Sequence, residues 1–285
     1  MTPFPASPVA SKPLVFHVMP RYSSTVDARC QRAFLSATKG GCQISFGTPG
    51  IGGSPIESQT SVLPQAFNAP WIIALNLRKT HSISGWSMQH ADIEPEFGYL
   101  DILWREKQRL NCDVLSCVVP IKLPTGVTST AVGDGSWSID SVSGDEKPRR
   151  LTMHEIYKLP RTFNIDDVCK MFPDIRKDIK KPFLMVNTGC FLVDFSKPWV
   201  EKTVFRFLNH NQLGADGLWH TACRSEDYDF SFQAHKLGLS VYATTLVSLN
   251  HHGDCAFPNN QAWGTQQTDD EWAVHVAGRK NLTTG

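Results

Sequence analysis

The apolar positions of the chain switch between two spacings, and the switching predicts strands alternating with helices. Leu14 to Met19 is a continuous apolar run closed by Pro20, the pattern of a strand buried on both faces. Val26, Cys30, Ala33, Phe34 and Ala37 then recur at helical spacing, and Gly40-Gly41 supplies a stop. Gln43 to Phe46 returns to a strand pattern. A strand-helix-strand opening of this kind predicts a parallel sheet with its ligand crevice at the carboxyl ends of the strands. Further helices are expected over Phe67 to Leu77, Phe97 to Leu110 and Ser225 to Gly238. Further strands are expected over Trp86 to Ile93, Asp113 to Ile121, Pro182 to Val193 and Leu239 to Leu249. Residues 125–181 read as irregular, apart from short helices near Asp166 to Met171, and a stretch of that length is expected to carry acceptor contacts or a lid. The whole chain, 1–285, reads as a single α/β domain, with 1–13 as a flexible leader and 254–285 as a C-terminal extension.

Three places end an apolar run in a polar cluster. If the strand at Trp86 continues through Ile93, then His90, Asp92 and Glu94 share one face. The Asp92 carboxylate is a hard oxygen ligand suited to Mg²⁺ or Mn²⁺, and His90 adds an imidazole that favours Mn²⁺. A strand running into a solvated turn before Pro95 explains the same residues without a metal. Ser225-Glu226-Asp227-Tyr228 opens a helix, where Ser225 is expected to cap and the two acids to favour the positive end of the dipole. A carboxylate at such a position, next to a crevice, is also placed to deprotonate a hydroxyl, although capping is the simpler reading of the local sequence. The third cluster is Asn250-His251-His252-Gly253, in which adjacent histidines on extended chain point to opposite faces, so one at most is expected to reach the cation of Asp92. Within Pro182 to Val193, Asn187-Thr188-Gly189 marks either a bulge or a place where a ligand approaches the backbone at Gly189.

Composition narrows these readings. A formal net charge of +1 argues against binding nucleic acid through bulk charge, but leaves two local basic clusters, Lys147-Pro148-Arg149-Arg150 and Arg176, Lys177, Lys180, Lys181. Eight cysteines without a CxxC pair indicate neither a zinc knuckle nor a disulfide framework. Gly50-Ile51-Gly52-Gly53 matches no phosphate-binding loop. The first residues lack the basic start and apolar core of a signal peptide, and Leu14 to Met19 is too short to cross a bilayer, so a cytoplasmic protein without membrane insertion is expected.

Taken in order, these segments resemble the nucleotide-sugar-dependent glycosyltransferases of the GT-A fold, in their family-2-like branch, over roughly Leu14 to Gly253. Pro20-Arg21-Tyr22 matches the turn after the first strand, and His90-Ala91-Asp92 aligns with the Asp-x-Asp motif. SEDYDFSFQAHKLG matches the acidic pair that opens a helix, and SLNHHG the later metal-binding histidine. The resemblance implies a central, mainly parallel nucleotide-binding sheet and a nucleoside-diphosphate sugar donor. It implies that Asp92 and one of His251 and His252, with His90 as a further candidate, hold Mn²⁺ or Mg²⁺. It also implies that Asp227, with Glu226 beside it, activates the acceptor hydroxyl, and that Pro20, Tyr22 and Asn68 lie near the donor, to which the local pattern at Gly189 adds a candidate donor contact. His90 stands where the family has its first acidic residue, which bears on donor preference and on the metal shell.

The function expected from the resemblance is metal-dependent transfer of a hexosyl or pentosyl group to a hydroxyl, with Asp227 as base if the anomeric centre inverts. Phage enzymes of this general kind glycosylate hydroxylated bases in DNA, so DNA modification, in a host cytoplasm if the chain is phage-encoded, stands beside glycan, protein and small-molecule acceptors. The basic clusters, with Trp137 near the first, would then meet phosphates and a displaced base. The competing class is a nucleotide-sugar-binding module that has lost catalysis. A nucleotidyltransferase ranks below it, because Pro20-Arg21-Tyr22-Ser23-Ser24 supplies a single phosphate-gripping cation.

Overall fold

The computed structural model describes residues 12–20, 26–45, 63–138, 147–213 and 217–265. β1 (Leu14–Val18) leads through α1 (Ala28–Leu35) to β2 (Gln43–Ser45). α2 (Leu63–Leu77) precedes β3 (Ile83–Gln89), and the short β4 (Ile93–Pro95) precedes α3 (Tyr99–Leu110) and β5 (Val114–Cys117). The middle of the chain forms β6 (Val127–Asp134), β7 (Arg149–Thr152), α4 (Met153–Ile156), β8 (Thr162–Phe163), α5 (Ile165–Met171), α6 (Ile175–Asp178) and β9 (Pro182–Met185). β10 (Cys190–Asp194) is followed by the hairpin of β11 (Leu208–Leu213) and β12 (Trp219–Arg224), then α7 (Glu226–Lys236), β13 (Val241–Thr244), β14 (Leu249–His252) and β15 (Ala256–Pro258).

The central sheet has seven strands in the order β2-β1-β3-β10-β5-β13-β8. β2, β1 and β3 run parallel, as do β5 and β13, while β10 is antiparallel to both β3 and β5 and β8 to β13. Five strands therefore share one direction, and the expected mainly parallel α/β sheet is present. On one face, Trp71 and Phe67 of α2 and Phe230 of α7 pack with Trp86, Phe191 and Phe205. Trp71 and Trp86 meet edge to face at 4.9 Å, and the Trp71 indole donates to the Val200 carbonyl at 3.0 Å. On the other face, Leu100 and Leu103 of α3 cover Val15, Leu115 and Leu192. Among the described residues, no helix is long and apolar enough to cross a membrane.

Four expectations are corrected, three of them because a strand changes sheet. The run from Trp86 stops at Gln89. Ile93 N donates to His90 O at 3.1 Å and closes a turn, and the chain resumes as β4 in a second sheet ordered β15-β14-β4. His90, Asp92 and Glu94 consequently do not share one strand face. Pro182 to Val193 divides at Asn187–Gly189 into β9, which joins the sheet β7-β6-β9, and β10 of the central sheet, so the break is more than a bulge. Leu239 to Leu249 divides likewise into β13 and the start of β14. The described residues of 125–181 are not irregular: they hold β6, β7, α4, β8, α5 and α6, with Leu151, Met153, Ile156 and Phe163 buried.

This topology gathers one edge of the central sheet. β3 and β5 end there, and the antiparallel β10 begins there, with Cys190 opposite Gln89. The sequence-predicted residues at 90–92 and 189 lie at that edge, and β14 brings position 251 against Ile93 of β4.

Candidate functional site

Asp92 and His251 meet across 159 residues of chain, with His251 Nε2 at 3.3 Å from Asp92 Oδ2. The tautomer is set from behind, because His251 Nδ1 lies 2.7 Å from the Pro120 carbonyl, which can only accept. In the neutral ring, Nε2 is then a lone pair facing a carboxylate oxygen, and such a contact needs a proton or a cation between the two atoms. Burial alone would raise the Asp92 carboxyl. The contacts with His251 and the Lys122 ammonium outweigh it and hold Asp92 well below the usual carboxylate range. Lys122 Nζ lies 2.6 Å from the same Oδ2.

His252 is separated from this pair. Its Nε2 donates to Glu94 Oε2 at 2.7 Å, so the structure selects His251 as the partner of Asp92 and corrects His252 to a contact of Glu94. His90 is half-buried, with its ring 5.2 Å from that of Phe67 and its Nε2 buried without a hydrogen-bond partner. Burial pushes the imidazole down to about 4, with His251 and Lys122 acting in the same sense and Asp92 against, so His90 is neutral at ordinary pH. Among the described residues, no three His, Cys, Asp or Glu side chains converge as a metal cage. Asp92 and His251 are the two side chains here that could hold a Mg²⁺ or Mn²⁺ ion.

The second part of the site is joined to the first by Asn187. Its Oδ1 accepts from Gly189 N at 2.6 Å, and its Nδ2 points to Asp227 Oδ2 at 3.5 Å. Gly189 O accepts from His90 N at 2.7 Å. A Cβ at Gly189 would stand 2.6 Å from Asn187 Oδ1, 2.7 Å from Ile93 Cδ1 and 3.0 Å from His90 Nδ1, which accounts for glycine here by close approach of the protein's own groups. At the start of α7, Ser225 occupies the N-cap position but makes no side-chain cap; its hydroxyl donates to the Asp227 carboxylate, a correction of the expected capping. Tyr228 N also donates to Asp227, at 2.8 Å. Burial raises the Asp227 carboxyl despite these bonds and the nearby Arg150. Glu226 is buried, and burial together with the Asp227 charge pushes its carboxyl up to about 7. At neutral pH the two acids behave as one coupled pair.

Other expected residues divide. Pro20 is buried just beyond the end of β1, and Tyr22 lies outside the described residues. Asn68 is engaged elsewhere: it donates to Phe205 O at 2.8 Å and accepts from Phe205 N at 2.9 Å, a clamp between α2 and the segment before β11 that corrects its assignment to the donor. The basic clusters are partly committed, Arg149 to Glu155, Arg176 to Asp166 and Lys177 to Asp174, and Trp137 packs against the cluster of Phe183, Tyr228 and Phe232. All eight cysteines are free.

Sequence patterns missed Lys122, Asn187 and Asn259. Asn259 Oδ1 accepts from Leu249 N at 2.8 Å, and its Nδ2 lies 3.0 Å from the carbonyls of Val118 and Val247, which locks β14 against the end of β5. Only the turn-like Asn187-Thr188-Gly189 gave any local signal.

The fold and geometry define an α/β protein with a mixed, mostly parallel seven-stranded sheet and a histidine-carboxylate cluster at one edge. No protein-family model matches the chain, and no curated protein matches it in sequence. Among solved structures it is similar to the crystal structure of A197 from STIV, at 13% identity and a TM-score of 0.46, over 90% of this chain and 96% of that one.

Proposed function

We propose that the chain is a metal-dependent glycosyltransferase of GT-A type, moving a sugar from a nucleoside-diphosphate sugar to a hydroxyl. The observation that carries this reading is the meeting of Asp92 and His251 at a sheet edge that Asn187 connects to Asp227. Asp92 and His251 are the residues that would hold Mn²⁺ or Mg²⁺, and the bound ion would neutralise charge on the departing nucleotide. The Pro120 carbonyl keeps His251 in the ligating tautomer. Neutral His90 offers hydrogen bonding to the donor in place of the acidic residue of the resembled family.

Asp227 serves as the base for the acceptor hydroxyl, oriented by Ser225, Tyr228 N and Asn187. Its raised proton affinity suits it to accept the hydroxyl proton as the sugar bond forms, the role a base has if the anomeric centre inverts. Glu226 sets the charge of the pair.

A binding module without turnover is the second reading, favoured by His90 at the acidic position. One experiment separates the two. Nucleoside-diphosphate release is followed by mass spectrometry over a panel of nucleotide sugars with Mn²⁺, Mg²⁺ or chelator, for wild type, Asp92→Ala and Asp227→Asn. Metal-dependent release that is lost in Asp92→Ala supports the enzyme, and donor binding without release under every metal condition supports the module. Absence of metal-dependent donor binding overturns both.

A further inference from the structure

We propose that Lys122 is a built-in cationic arm of the donor site, one that binds the pyrophosphate of a nucleoside diphosphate and sustains donor affinity when no divalent cation is present. The inference rests on the donor-site reading above and adds to it a residue on the loop after β5, outside every motif that suggested the site. Lys122 Nζ lies 2.6 Å from Asp92 Oδ2, the same oxygen that faces His251 Nε2 at 3.3 Å. The ammonium thus stands beside the point where charge from a substrate diphosphate would be neutralised.

The placement is built by the backbone. Ile121 N donates to Val127 O at 2.9 Å and Leu123 N to Ile121 O at 2.8 Å, fixing the turn that carries Lys122. The neighbouring Pro120 carbonyl is the one that orients His251, so one short loop positions both the imidazole and the ammonium. The lysine stem crosses Gly253, where a Cβ would stand 3.0 Å from Lys122 Cδ. Glycine after the two histidines therefore makes room for the arm.

Chemistry identifies the ligand. An ammonium has three N–H donors, and Lys122 directs one to Asp92, leaving the others without an acceptor among the described residues. The Lys122 side chain is 35% exposed and that of Asp92 44%, so the pair is open to a ligand and weakly held. A point cation with free donors, beside a histidine and on a sheet edge, is suited to phosphate oxygens. Diphosphate binding lets Nζ keep a charged partner while Asp92 is freed for a cation.

The test is calorimetric binding of UDP, GDP, ADP, CDP and dTDP to the full chain, in Mn²⁺ and in EDTA, for wild type, Lys122→Met, Lys122→Arg and Gly253→Ala. The nucleotide that binds in Mn²⁺ should bind wild type in EDTA as well. Lys122→Met should weaken that metal-free binding by roughly tenfold or more, with a smaller effect in Mn²⁺, and Lys122→Arg should stay within about threefold of wild type. Gly253→Ala should weaken it by displacing the stem. Equal metal-free affinity in wild type and Lys122→Met, or wild-type binding in Mn²⁺ alone, overturns the role of Lys122 and leaves the donor-site reading standing. Binding of no nucleotide under either condition overturns both.

Discussion

The substitution Glu226→Gln should flatten the dependence of folding stability on pH between about 5 and 8. Glu226 is 6% exposed, and its carboxyl moves from an ordinary 4.5 to about 7, first through burial and then through the charge of Asp227. In the unfolded chain the group ionises near its ordinary value, while in the folded chain it keeps its proton to about 7. Between those values the unfolded state binds fewer protons, so stability falls as pH rises. A displacement of that size at ~1.4 kcal/mol per unit corresponds to about 3 kcal/mol of stability lost by pH 8. Glutamine is neutral throughout, and the variant lacks this slope. A smaller slope persists, because Asp227 is also raised. Urea unfolding followed by tryptophan fluorescence at pH 5, 6, 7 and 8 measures the difference. Wild type should lose about 2–3 kcal/mol relative to the variant across the series, the remainder of the loss falling below pH 5. Parallel curves for the two proteins would refute the placement of a protonated Glu226 in the fold.

Gly189→Ala should cost about 1–3 kcal/mol, because the new methyl meets Asn187, Ile93 and His90 at 3.0 Å or less, and it should slow any turnover by displacing Asn187 from Asp227. An unchanged melting temperature would show that the β9–β10 break tolerates a side chain. Asp229→Asn should cost about 3–5 kcal/mol, since the fully buried carboxylate receives Arg206 Nε at 2.9 Å and Arg206 Nη2 at 3.0 Å. Hydrogen exchange should then quicken first in β11 and β12, and uniform exchange with wild-type stability would refute this anchoring role.

The parts of the fold legible in the sequence are those whose pattern is local and long enough to show a period. α3 and α7 appear where helical spacing puts them, and Gly238, at φ +69°, ends α7 as expected. Strand breaks were not legible, since the choice of sheet depends on partners far along the chain. Gln89 pairs with Cys190, whereas Ile93 pairs with His251, and nothing in the apolar run announces the change. β7 spans four residues and β8 two, too few to display alternation. Asp92, His251, Glu226 and Asp227 were visible because their residue types and context are unusual. Lys122 was not, because a lone lysine between prolines reads as solvated surface and its carboxylate partner lies 30 residues away. Asn68 and Ser225 show the opposite error, in which a plausible local role gave way to a long-range clamp and to a hydroxyl turned toward Asp227.

The position of β14 also sets an order of assembly. β1, β3 and β5 can pair from the first half of the chain together with β10, but His251 reaches Asp92 only when β14 docks on β4 and Asn259 closes behind it. Loop closure over so long a span is slow relative to the local pairings. During synthesis, Asp92 and Lys122 therefore emerge well before the imidazole that completes the cluster. Nascent chains carry Asp92 and Lys122 without their imidazole partner until β14 docks on β4.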